Sequence, residues 1–260
     1  MLDYQKNLKQ KHRDLKVKSP INPKFKRQDE MMKAIVFDVD DTLYDLSLPF
    51  KEAFAEVFPG EKIDLEGAFL ASRRYSDSVY ARSLSGEISM EEMYIYRFES
   101  AFRDYGMIID AQGALEFQAV YEMKQQEIYM TEEMQQLLQK LKGKAKLGII
   151  TNGPAQHQWD KINALGVKEW IPVEHIFISG EQGVAKPDKE IFELAEKRLG
   201  LQPDEICYVG DSYENDMSGA KKAGWKAVWF NHRDHKPTGE MEPDYEVKSE
   251  RELAELLEGI

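Results

Sequence analysis

Four short runs hold acids, a hydroxyl and a lysine at places where chemistry needs them. The first is Phe37-Asp38-Val39-Asp40-Asp41-Thr42-Leu43. Asp38 and Asp40 are separated by one residue, so in extended backbone their carboxylates point to the same side. Two like charges so placed are costly unless a cation or a proton lies between them, and a cation is the simplest resolution. By itself such a pair serves equally well to cap a helix or close a turn. The second run, Gly148-Ile149-Ile150-Thr151-Asn152-Gly153-Pro154, offers a hydroxyl and backbone N–H groups to an oxyanion at a helix start, although a plain strand-to-helix turn reads the same. The third, Gly183-Val184-Ala185-Lys186-Pro187, places a lysine just before a helix that begins near Asp188; a lone loop lysine is ordinarily a solvated one. The fourth, Val209-Gly210-Asp211-Ser212-Tyr213-Glu214-Asn215-Asp216, again ends an apolar run in an acid. Asp211, Asp216 and Asp38 with a nearby backbone carbonyl make a hard oxygen set suited to Mg2+.

These runs need elements that bring them together. From Lys33 onward, short β-branched or aromatic stretches alternate with amphipathic helical patterns, which predicts an α/β fold with a doubly wound, Rossmann-like parallel sheet. The expected strands are 34–37, 147–150, 175–178, 206–209 and 227–230, continuous apolar runs that suit strands covered on both faces. In such a sheet, ligands bind outside the carboxyl ends of the strands, where the acids, Thr151 and Lys186 are delivered. Thr131 is the expected cap of a helix carrying Met134, Leu137, Leu138 and Leu141 on one stripe. Between the first two strands lies a helical stretch far longer than a minimal crossover, so 45–130 reads as an inserted α-helical cap domain and 31–44 with 131–260 as the core. Within the insert, Ser89 and Glu92 form a capping box that opens a helix carrying Met93, Tyr96 and Phe98.

Composition limits the function classes. The formal charge is −12, which argues against nucleic acid or an anionic membrane as main partner. Residues 1–30 differ from the rest: nine basic against four acidic residues give a net of +5, which leaves −17 for the remainder. This basic N-terminal extension reads as a solvated tail upstream of the fold. No apolar run reaches the length of a membrane helix, no secretory apolar core is seen at the start, and the single Cys207 forms no disulfide within the chain; a cytoplasmic enzyme is expected. Cys207 lies in an apolar run and reads as a buried packing thiol. His157, His175, His232 and His235 lack metal-ligand spacing.

Four strand-end signals in one order along one sheet are poorly explained by chance. The set resembles the haloacid dehalogenase superfamily of hydrolases: DVDDT (38–42) matches its first motif, Thr151 its second, Lys186 its third and GDSYEND (210–216) its fourth. The insert is similar to that superfamily's helical cap of the first type. The runs GIITNG, GVAKPDKEIF and RFES resemble the subgroup of pyrimidine 5'-nucleotidases and N-acylneuraminate-9-phosphatases. The resemblance implies a Mg2+-dependent phosphatase with Asp38 as nucleophile, Asp40 as general acid and base, and Thr151, Asn152, Gly153 and Lys186 around the phosphoryl group. It implies a metal on Asp38, the backbone carbonyl of Asp40 and Asp211, with Asp216 in support, while Asp41 matches a variable, non-catalytic position.

Reaction type is not fixed by the superfamily, which also contains dehalogenases and mutases. Asp40 favours a phosphatase, because an alkoxide leaving group needs a proton and a halide does not. A mutase uses the same Asp pair, and a silent binding protein would be expected to have lost one of the four motif residues. The expected substrate is a small phosphorylated metabolite, such as a nucleoside 5'-monophosphate or a phosphosugar. Its leaving group is expected to meet Arg74, Tyr80 and Arg82 of the insert, where cations and aromatic rings are mixed.

Overall fold

The computed structural model describes residues 32–259. The basic extension expected at 1–30 lies outside them. Six parallel strands, β1 (Ala34–Phe37), β2 (Lys146–Thr151), β3 (Ile176–Ile178), β4 (Ile206–Gly210), β5 (Lys226–Phe230) and β6 (Tyr245–Val247), form one sheet in the order β3-β2-β1-β4-β5-β6. β1 is central, with β2 on one side and β4 on the other, so the chain changes direction of winding beside it. Crevices open at such a switch point, on the carboxyl side.

Alternation along β1 sets the two cores. Ile35 and Phe37 join one cluster with Leu147, Ile149, Val209 and Val228, while Ala34 and Val36 join the other with Ile150, Tyr208 and Trp229. Both faces are therefore apolar, and both are covered by helices. The helices are α1 (Leu48–Val57), α2 (Leu65–Leu84), α3 (Met90–Asp104), α4 (Ala111–Gln125), α5 (Glu132–Leu141), α6 (Ala155–Ala164), α7 (Ser179–Gln182), α8 (Lys189–Leu199), α9 (Ser218–Lys222) and α10 (Glu250–Leu257). On α5, the Thr131 hydroxyl accepts from Met134 N–H, and Met134, Leu137, Leu138 and Leu141 are all buried.

Helices α1 to α4 lie between β1 and β2 and build a separate aromatic core around Phe50, which packs edge-on against Phe117 at 5.0 Å and Phe69 at 5.7 Å. Polar caps fix their starts: Asp64 accepts from Gly67 N–H, Asp110 from Gly113 N–H, and Ser89 and Glu92 form the reciprocal box. Of the apolar residues expected on α3, Met93 and Phe98 are buried, whereas Tyr96 is exposed and packs edge-on against Tyr75.

Candidate active site

The sheet delivers Asp38 beyond β1, where its N–H donates to Val209 O and the residue is 7 % exposed. From the loop before α8, Lys186 reaches inward. Its Nζ lies 2.8 Å from Asp38 Oδ1, 2.7 Å from Asp216 Oδ1 and 2.9 Å from the Tyr208 hydroxyl, so all three N–H bonds are occupied. Tyr208 in turn donates to Ile150 O. The loop itself is tied to β2 by Asn152, whose amide donates to Lys186 O and accepts from Lys186 N–H, both at 2.9 Å.

Acids outnumber cations here. Carboxylate oxygens of Asp38, Asp211 and Asp216 lie within 4.8 Å of one another. Burial lifts the pKa of Asp38 to about 7 against the pull of Lys186, and Asp216 and Asp40 add to the rise. Burial, then Asp216, Asp38 and Asp41, also push Asp211 well above the usual carboxylate range. For Lys186, burial opposes the charge, yet Asp216 and Asp38 hold its pKa well above the ordinary value. One lysine does not balance three clustered acids, and an all-oxygen donor set of this kind fits a hard divalent cation. Asp216 is the least available of the three. It is fully buried, with one oxygen on Lys186 and the other accepting from Ser212 N–H.

Asp40 has partners of its own. Lys161 Nζ is 2.7 Å from both carboxylate oxygens, the Tyr44 hydroxyl donates to Oδ1 at 2.6 Å, and Gln158 Nε2 donates to Oδ2 at 3.0 Å. Burial would raise its pKa, but Lys161 and these hydrogen bonds overcome burial and lower it. Asp41 adopts a left-handed backbone with φ 59° and turns away to Arg233, which contacts both its oxygens at 2.5 Å.

A cleft of about 230 Å3 opens onto Asp38, Asp40, Thr151, Lys186, Asp211 and Asp216, with Arg73 of α2 on its wall. The structure thus brings together the residues of the four runs, but it revises the outer set. Gly153 is not on the cleft wall, and its N–H donates to Ser179 Oγ at 2.9 Å. Asn152 lines the cleft while its side-chain amide positions the Lys186 backbone. On α2, Glu66 and Phe69 both meet Arg233, and Arg73, one turn further on, is exposed at the cleft wall. One residue on, at 100° around the helix, Arg74 instead faces Asp104 at 3.8 Å. Arg82 pairs with Glu87, and Tyr80 is exposed. Neither they nor Arg74 lines the cleft, whereas Arg73 does. Lys161, Gln158, Tyr44 and Tyr208 were not singled out from the sequence. The one available signal was Gln158 and Lys161 three apart on a helix that starts at the second run.

The arrangement agrees with the comparisons. The family model for haloacid dehalogenase-like hydrolases matches residues 32–224. The glyceraldehyde 3-phosphate phosphatase of Methanopyrus kandleri is 29 % identical over 248 residues, covering 87 % of this chain and 97 % of that protein. The N-acylneuraminate-9-phosphatase of Mus musculus is 27 % identical over 252 residues, covering 88 % and 95 %. The pyrimidine 5'-nucleotidase YjjG of Escherichia coli is 39 % identical over 124 residues, covering 46 % and 53 %. With its four motifs at the carboxyl edge of one parallel sheet and a family match over most of its length, the chain belongs to the haloacid dehalogenase-like hydrolases.

Proposed function

We propose that this chain is a Mg2+-dependent phosphomonoester hydrolase that works through an acyl phosphate on Asp38. The observation that carries the reading is the division of labour between two carboxylates two residues apart. Asp38 is bound to Lys186 in the acidic cluster, whereas Asp40 sits on Lys161, Tyr44 and Gln158. One is placed to attack and the other to carry a proton. Asp38 forms a bond to phosphorus as the bond to the leaving oxygen breaks, and Asp40 gives that oxygen its proton. Water then attacks the acyl phosphate, its proton passes to Asp40, and Asp38 is freed with inorganic phosphate. Lys186 and Thr151 are placed to hold the phosphoryl oxygens. Asp38, Asp211 and the backbone carbonyl of Asp40 would hold Mg2+, with Asp216 fixing Lys186. The ion supplies the positive charge that lets an anionic nucleophile meet an anionic substrate.

The relatives' names point to small phosphorylated metabolites, which agrees with a cleft of this size partly walled by an inserted helix. In this reading Arg73 meets the leaving group, and helices α1 to α4 form a cap that excludes large substrates and bulk water. A protonated leaving group is what an alcohol needs, and a halide does not, so Asp40 favours ester hydrolysis over dehalogenation. Phosphate release from p-nitrophenyl phosphate tests the reading: wild type should be active with Mg2+, silent after EDTA and restored on adding the ion back. Full activity after exhaustive chelation would remove the metal from the account.

A further inference from the structure

Asp40 is surrounded by more donors than its own run of sequence provides. Lys161 spans both oxygens, Tyr44 donates to one and Gln158 to the other, so each oxygen accepts two hydrogen bonds. That fills the roughly four acceptor positions of a carboxylate. All three donors are buried: Tyr44 is 5 % exposed, Gln158 2 % and Lys161 8 %. Burying an ammonium is costly unless it is paired, and Asp40 is the ion-pair partner of Lys161. Lys161 is absent from the cleft wall, whereas Asp40 is on it. The ammonium therefore reaches the reacting groups through Asp40.

We propose that Lys161, assisted by Gln158 and Tyr44, is the positioning residue for Asp40, resting on the phosphatase reading above. It locks the carboxyl group in the orientation that meets the leaving oxygen. Because its ammonium bridges both carboxylate oxygens, it can release one for proton transfer and keep the other. In the first half-reaction the bond from phosphorus to the leaving oxygen breaks, and that oxygen takes the proton of Asp40, which is left as a carboxylate held by Lys161. In the second half, water bonds to phosphorus and loses its proton to Asp40 as the bond to Asp38 breaks. Lys161 neither gains nor loses a proton over the cycle.

The test is Lys161→Met in the full chain with Mg2+, comparing kcat/KM for phenyl phosphate, whose leaving group needs a proton, with p-nitrophenyl phosphate, whose leaving group departs without one. Positioned proton transfer contributes about 100-fold or more. Phenyl phosphate should therefore lose about 100-fold and p-nitrophenyl phosphate less than about tenfold, with Lys161→Arg recovering most of the phenyl ester activity. In an Asp40→Asn background, adding Lys161→Met should change neither ester by more than about twofold. Equal losses on both esters, or a further large loss in the Asp40→Asn background, would overturn the proposal and assign Lys161 to the fold or to the phosphoryl group. If Lys161→Met does not fold, Gln158→Leu removes a single donor from Asp40 and should show the same bias towards the phenyl ester. Equal losses there overturn the proposal as well. A wild-type chain that releases phosphate from neither ester sinks the phosphatase reading itself, and the proposal with it.

Discussion

Arg73 and Arg74 are neighbours in sequence and differ in what they meet. Arg73 stands on the cleft wall, while Arg74 and Arg82 face Asp104 and Glu87 on the surface of the insert. An exposed ion pair contributes little, whereas a charge-assisted contact to a bound anion is worth about 1.5–3 kcal/mol. Arg73→Ala should therefore raise KM for the preferred phosphorylated metabolite by about tenfold or more, and Arg74→Ala and Arg82→Ala should leave it within about twofold. Steady-state kinetics across a metabolite panel checks this, and a substrate ranking altered by Arg74→Ala but not by Arg73→Ala would contradict it. The same contrast shows what the sequence could reveal at this scale. Asp38, Asp211 and Thr151 were legible because each ends or follows a strand, and strand ends are where such a sheet collects its groups. The rotation of α2 about its axis is set by packing of Glu66 and Phe69 on Arg233, a residue 167 positions from Glu66, and no local pattern records that. Lys161 was hidden for the same reason, since its partner Asp40 is 121 positions away.

Five strands were readable to within a residue or so because each is an apolar run buried on both faces. β6 was not expected: it has three residues, of which only Val247 is buried, and it lies at the sheet edge. Its position is fixed by the residue before it. Asp244 N–H donates to Ala227 O, and its carboxylate accepts from Ala227 N–H at 2.9 Å and Lys221 at 2.8 Å, with Lys226 at 3.4 Å. Burial would raise the pKa of Asp244, but these partners outweigh it and lower it. The folded state then binds fewer protons at this site than the unfolded chain. The stabilisation is complete above the unfolded value of about 3.9 and is lost as the pH falls. Asp244→Asn should lower Tm at pH 7 and lose less further stability than wild type between pH 5 and 3 in thermal unfolding. Parallel acid limbs for the two proteins would contradict this account of the edge. The loop leading to β6 also carries Arg233, which joins Asp41 and Asp45 near the start of the insert to Glu66 on α2. This gives Asp41 a structural task at the start of the insert.

Across the whole molecule, a chain of formal charge −12 sets Lys186 and Arg73 on the wall of a cleft whose acids outnumber them, a negative balance that a bound cation would offset. No helix among the described residues is long and apolar enough to cross a membrane. Cys207 is buried and its thiol is pushed up to about 12 by burial, which suits the packing role read from its sequence surroundings. Every residue of the four motifs lies beyond Met32, so removal of residues 1–30 should leave kcat/KM for p-nitrophenyl phosphate within about threefold; a larger loss would show that the extension serves the site. The central claim is the covalent role of Asp38. It is tested most directly by mixing the chain with a labelled phosphomonoester and Mg2+, quenching in acid within one turnover, and locating the label by peptide mass spectrometry. The account predicts an acid-stable, hydroxylamine-labile phosphate on the peptide carrying Asp38, absent in Asp38→Asn. Label on a different residue, or phosphate release at the wild-type rate by Asp38→Asn, would contradict it.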